Sequence, residues 1–103
     1  MQANVVVLEG VVVSREVMRF TPGGVETLNL VLQHKSRQIQ TDGKQAISVE
    51  LEISAIAFGE VALAMNLFKP RDTISVKGFL SQKNQYNPQP ILHISQFKML
   101  SES

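Results

Sequence analysis

The chain has 103 residues, 44% of them hydrophobic, with ten Lys/Arg against nine Asp/Glu for a net charge of +1, and no cysteine. That length supports one domain, 1–103, with a small core and no staples. Zero cysteines exclude disulfides, thiol nucleophiles and cysteine metal sites, and no apolar run reaches the roughly 20 residues that span a bilayer.

Residues 1–4 carry no basic stretch, so the valines that follow read as a strand rather than a signal peptide. Residues 4–14 (NVVVLEGVVVS) are β-branched on both faces, which suits a strand buried on both sides or shared between two layers. Gly10 inside it predicts a bulge or bend. Thr21-Pro22-Gly23-Gly24 is a turn, with Pro22 fixing φ.

Residues 27–35 and 45–53 form the central pair of strands. Leu28, Leu30 and Leu32 alternate with Asn29, Val31 and Gln33, and Ile47, Val49, Leu51 and Ile53 alternate with Ser48, Glu50 and Glu52. A period of two places one set on a core face. Between them, 36–44 is expected as an extended loop, turned at Asp42-Gly43 and carrying Arg37 and Lys44, with Lys35 at its base.

Ser54 is positioned to cap a helix over 55–67, with Phe58, Val61, Ala62 and Met65 on one stripe, Phe68 extending it and Pro70 ending it. Residues 73–82 and 91–100 complete the strands. The proline-punctuated segment 82–90 between them is expected as a second extended loop. The order strand, strand, strand, helix, strand, strand matches an all-β, five-stranded OB-fold barrel with one helix between strands 3 and 4.

Chemistry has few candidates. His34 and His93 are the only histidines, and each reads as a half-buried strand residue with its ring hydrogen-bonded. Glu50 and Glu52 read as solvated strand-face charges, and Pro22-Gly23-Gly24 lacks the Lys-Ser/Thr of a phosphate loop. No enzyme activity, catalytic residue, metal ligand or cofactor is expected. Charge placement says more. Arg15 and Arg19 follow the first strand, Lys35, Arg37 and Lys44 ring the central hairpin, and 73–101 holds Lys77, Lys83 and Lys98 with no acid. Acids gather instead at Glu50, Glu52 and Glu60. Tyr86, set among Asn84, Gln85 and Asn87, suits either a stacking platform for bases or a ring packed on the barrel rim. Phe20 and Phe79 share that ambiguity, whereas Phe58 and Phe68 are expected in the core. The candidate polyanion surface is therefore Arg19, Lys35, Arg37, Lys44, Lys83 and Tyr86, the alternative being a chance patch of solvated charges. The excess aliphatic surface of the first strand, at Val5, Val7 and Val11, predicts a two-fold dimer that also seals strand edges.

Asn4-x-x-x-Leu8-x-Gly10, Arg19-Phe20-Thr21-Pro22-x-Gly24, Leu32-x-His34-Lys35-Ser36, Val76-x-Gly78-Phe79 and Leu92-His93 together resemble the primosomal replication protein N (PriB) family, relatives of bacterial single-stranded DNA-binding proteins. The resemblance spans roughly residues 4 to 100. It implies a homodimeric, non-enzymatic OB-fold of the bacterial cytoplasm that binds single-stranded DNA and acts in restarting stalled forks, with the PriA helicase and DnaT as partners. By position, Arg19 and Lys35 match basic DNA-contacting residues, and 82–89 matches a lysine-bearing binding loop. Ile47 stands where the best-known members have a tryptophan, and Lys83 is alone where their loop has several lysines, which implies weaker and less salt-sensitive binding. The alternative reading is an OB-fold protein-interaction module that touches nucleic acid incidentally.

Overall fold

The first strand sets the architecture. A computed structural model describes residues 2–101. In it β1 (Val6–Arg15) turns Val6, Leu8, Gly10 and Val12 inward and leaves Val7 and Val11 outward, as a period of two requires. Over Val6–Val11 it runs antiparallel to β5 (Thr73–Asn84), and from Val11 to Arg15 it runs antiparallel to β3 (Glu26–Ile39). One strand thus serves two edges, and the crossover sits at Gly10. A β-carbon there would stand 3.0 Å from the Gln33 carbonyl oxygen, closer than side chains tolerate, so glycine permits the approach. The ladder irregularity expected at Gly10 falls three residues later, where Val13 is the extra residue between Val12 and Ser14.

β4 (Ala46–Phe58) pairs with β3, β6 (Asn87–Ser101) pairs with β5, and a short parallel contact of Ser54–Ile56 with Ile91–His93 closes the barrel. A two-residue strand, β2 (Arg19–Phe20), lies along the start of β3. Helix α1 (Gly59–Met65) lies between β4 and β5. Inside the barrel are Val12, Leu28, Leu30, Leu32, Ala55, Ala57, Ile74, Val76, Leu92 and Ile94, with Ala62, Met65 and Phe68 sealing one end. Phe68 meets Phe97 edge to face, with centroids 5.2 Å apart.

Three expectations are corrected. The helix does not begin at Ser54, because Ser54–Phe58 continues β4 and lays Ala55 and Ala57 into the core. The break comes at Gly59 (φ +63°), and Phe58 occupies the N-cap position without a side-chain cap bond. Phe58 therefore points out of the barrel, 42% exposed, rather than into the core. The stretch 36–44 is strand as far as Ile39 and turn only over 40–44, and 82–90 is strand except at residues 85 and 86. β3 and β4 stay paired to Ile39 and Ala46, and β5 and β6 to Asn84 and Asn87. Both hairpins extend past the core, so Ile47 and Leu51, which share the face of Ala55, remain exposed. Of the two readings of the first strand, sharing between two edges holds, and its outer face stays open within a single copy: Val7 is 67% exposed and Val5, just before the strand, 68%.

Leu30→Ala is expected to lower stability by roughly 2–5 kcal/mol, the range for truncating a buried leucine, while Gln33→Ala stays near wild type in urea unfolding. Gly78→Ala should be worse than either. A β-carbon at 78 would collide with the His93 carbonyl oxygen, where Ser95 is bulged out of β6. Little or no folded protein by circular dichroism is the expected result.

Candidate nucleic-acid interface

Cross-strand partners share a face of a sheet, so the pairings map the outer wall of the barrel row by row. Val31, Ser54, Ile91 and Ser81 form one row across β3, β4, β6 and β5, with Ser14 of β1 beside Val31. Asn29, Ile56, His93 and Phe79 form the next, and Arg19, Thr27 and Phe58 the one beyond. In the opposite direction the wall continues up the long hairpin through Gln33/Glu52, Lys35/Glu50 and Arg37/Ser48.

The first row floors a groove. A cavity of about 390 Å³ is lined by Ser14, Asn29, Val31, Ser54, Lys83 and Ile91, among others, and a neighbouring one of about 540 Å³ by Val31, Glu52, Ser54, Gln89 and Pro90. They share Val31 and Ser54, so the two form one trough bounded by the β3–β4 and β5–β6 hairpins. Next to it lies an aromatic strip. The His93 ring stacks on Phe79 with centroids 4.7 Å apart and planes 11° from parallel, and Phe58 sits 6.1 Å away on the other side. Both phenylalanines are more than two-fifths exposed. His93 lies two residues from Ile91, roughly 6.6 Å along the strand on the same face, so trough and strip are continuous.

The basic candidates are dispersed and partly neutralised. Lys35 faces Glu50 across the ladder, Nζ to Oε1 3.7 Å, and Gln33 Nε2 donates to the same carboxylate oxygen at 3.4 Å. Acids expected elsewhere thus stand on the same hairpin face as Lys35 and Arg37. Arg19 pairs with Glu16 at 3.1 Å. Both pairs are well exposed, and such pairs contribute under about 1 kcal/mol, so an incoming phosphate can replace either carboxylate. Lys44 lies in the turn, where its backbone N–H donates to Asp42 Oδ1 and Gly43 takes φ +72°. Lys83 lines the trough. Tyr86 tips the β5–β6 hairpin, 86% exposed, so it is not packed on the rim. The structure unites Lys35 with Arg37 on one face and Lys83 with the trough, and leaves Lys44 and Tyr86 at separate tips.

Arg15 leaves the set of free cations. Its guanidinium donates to the carbonyls of Asn66 (2.6 Å) and Phe68 (3.0 Å) and to Asn66 Oδ1 (2.9 Å), satisfying acceptors at the end of α1. Sequence reasoning offered Phe79 as a candidate stacking ring but missed that Phe58 joins it and His93 in one strip. The signal was present in the period-two run Ser54-Ala55-Ile56-Ala57-Phe58, which a helix assignment hid.

A five-stranded closed barrel with one short helix, an open trough on its wall and exposed aromatics beside it defines a single-strand-binding type of protein. A family model described as another single-strand binding protein family matches residues 4–96, and the chain belongs to that family. Its relatives narrow this further. It is 34% identical over 95 residues, 92% of each chain, to the replication restart protein PriB of Neisseria gonorrhoeae. Among solved structures it is similar to PriB of Ralstonia solanacearum, at TM-score 0.84 and 29% identity over 96% of this chain and 100% of that one. The single-stranded DNA binding protein of Thermus aquaticus superposes at TM-score 0.76 with 25% identity, over 96% of this chain and half of that one.

Arg15→Ala should lower stability by about 1.5–3 kcal/mol, the range for hydrogen bonds to a charged group, read as a lower urea midpoint at unchanged slope. Arg15→Lys cannot reach three acceptors in the same fork and should recover little of the loss.

Proposed function

We propose that this chain is a replication restart protein of the PriB type that binds single-stranded DNA along the outer wall of its barrel. The observation that carries the reading is the open trough between the two hairpins, running directly onto the Phe58–His93–Phe79 strip. Non-specific single-strand binders combine a groove that tracks phosphates with ring faces on which bases stack, and this wall offers both. Lys83 in the trough, Lys35 and Arg37 on the hairpin, and Arg19 beyond Thr27 supply phosphate contacts. Lys44 and Tyr86 extend the reach of the tips. Stacking and phosphate contacts do not read base edges, so binding is largely independent of sequence. Action in the bacterial cytoplasm beside the PriA helicase and DnaT is part of this proposal, as the family resemblance implies.

A homodimer completes it. Val5, Val7 and Val11 lie on the uncovered face of β1, and Glu9 shares that face between Val7 and Val11. On the flanking strands Lys77 stands opposite Val7, and Lys98 opposite Ser75, the partner of Glu9. Aliphatic side chains with one acid and neighbouring lysines form a self-complementary patch for a two-fold contact. Sedimentation equilibrium at micromolar concentration should give twice the chain mass for wild type and the chain mass for Val7→Glu; a wild-type monomer would remove the dimer.

Binding to an oligothymidylate at several salt concentrations tests the DNA reading. Lys35→Ala and Lys83→Ala should each flatten the salt dependence by at most about one unit of slope. Phe79→Ala should weaken binding by about 1–3 kcal/mol, the cost of a lost stacked base, at nearly unchanged slope. Glu50→Gln should tighten binding, because it frees Lys35 and removes a charge that repels phosphate. If no variant differs from wild type, or wild type does not bind, the protein-interaction module takes precedence, a reading that Glu50 and Glu52 on the hairpin face would then favour.

A further inference from the structure

We propose that His93 makes single-strand binding proton-linked: its ring is a base-side subsite on the barrel wall that holds the strand more tightly when protonated. The inference rests on the single-strand reading above and adds regulation of the same surface.

The hydrogen-bond network decides what the proton does. Ser81 Oγ–H donates to the Gln82 carbonyl at 3.3 Å, which leaves the oxygen to accept from His93 Nε2–H at 2.8 Å. In the neutral ring either tautomer keeps the Ser81 contact at Nε2, and Nδ1 has no hydrogen-bond partner among the described residues. With the hydrogen on Nε2, Nδ1 presents only a lone pair, which a phosphate or a carbonyl of a base cannot use. Protonation turns Nδ1 into a charge-assisted donor while the Ser81 bond is kept. It also sets a cation against the face of Phe79 and near that of Phe58, which attracts it through the ring quadrupoles. The stacked ring is held in place by both neighbours, so no side-chain freedom is lost when a ligand arrives.

The surroundings do not pre-empt this. The strands flanking β6 are β4 and β5. Their charged residues on the outer face are Glu50 and Glu52 on β4 and Lys77 and Lys83 on β5, and Glu60 follows in α1. No ion pair to His93 occurs among the described residues. The other histidine is wired differently. His34 Nδ1 donates to the Glu9 carbonyl at 2.7 Å, and Nε2 accepts from Ser36 Oγ at 2.7 Å, while Gln38 Nε2 donates to that same oxygen. Both of its nitrogens are committed within the fold, so protonation there gains no new contact with a ligand.

The sign follows from linkage. If the complex favours protonated His93, association takes up a proton, and affinity falls as pH rises through the range in which histidine changes charge. One proton allows a change of at most about tenfold per pH unit. The test is binding of the full chain to an oligothymidylate from about pH 5.5 to about pH 8, a range in which histidine titrates and thymine does not. Wild type should lose several-fold in affinity across that range, His93→Phe should lose the pH dependence, and His34→Gln should keep it. As a measurement free of folding effects, NMR titration of the wild-type imidazoles should show the His93 midpoint displaced upward by the oligonucleotide and that of His34 unmoved. A pH-independent wild-type affinity, an unchanged slope in His93→Phe, or an unmoved His93 midpoint overturns the proposal while the single-strand reading stands. Absence of binding at every pH overturns both.

Discussion

Everything in this fold depends on β1 reaching two neighbours at once. Val11 pairs with Thr73 on one side and with Gln33 on the other, so the strand changes partner at a single residue. Gly10 makes the approach possible. Val12 then fixes it, because its N–H donates to the Asp72 carbonyl at 2.8 Å and its carbonyl accepts from Arg71 N–H at 2.7 Å. Asp72 is itself buried and accepts from Lys69 N–H at 3.0 Å, holding the turn that leads out of the helix. Arg71, at φ +81°, adopts the left-handed conformation that brings its N–H to Val12. These backbone bonds carry the β1–β5 side one residue past Val11, to the point where β1 passes to β3, and the strain at Arg71 is offset by the ladder it completes.

Closure at that point determines where function can sit. The inner face of the barrel is filled with aliphatic side chains, and the far side of β1 is aliphatic and flanked by lysines. The wall formed by β3, β4, β6 and β5 remains, and it is the wall that carries the trough and the rings. Its outward rows alternate with the core residues on the same strands, so each ring is fixed by the packing of its neighbours: Phe58 follows Ala57, Phe79 follows Gly78, and His93 lies between Leu92 and Ile94. Positions anchored this way are more accurately held than side chains on loop tips.

How much was legible in the sequence follows from which signals were local. The leucines of β3 alternate strictly, and their burial was readable from that pattern alone. The order of elements gave the barrel, because few topologies accept one helix after three strands. Three things were not readable. Hairpin segments beyond the core are exposed on both faces: residues 36–39 and 82–90 show no alternation and resemble loops, an impression that Pro88 and Pro90 reinforced although both lie in β6, while Ile47 and Leu51 keep the alternation without the burial it implies. The run to Phe58 matched a helical stripe because alanines suit either state, and only Gly59 marks the break. Charge pairing across a ladder is non-local: nothing in the order of residues says that Glu50 faces Lys35, since the register depends on the length of the turn between them. For the candidate surface, the cations were found and their partners were not, and the aromatic strip was lost with the helix boundary.

The division between tips and wall has a physical consequence for how such a surface binds. Cations at the ends of long side chains act at a distance of about one Debye length, roughly 8–10 Å at ordinary ionic strength, and they raise the encounter rate with a polyanion before any ring is touched. Here that attraction is blunted, since Lys35 and Arg19 each already hold a carboxylate. Stacking behaves in the opposite way: it acts only at contact, is insensitive to salt, and here uses rings that are already immobilised. Counterion release scales with the number of phosphates a surface contacts, and here two of the candidate cations would first have to leave a carboxylate. On the proposed surface the balance would shift towards the wall, where His93 lies between two phenylalanine rings rather than among carboxylates.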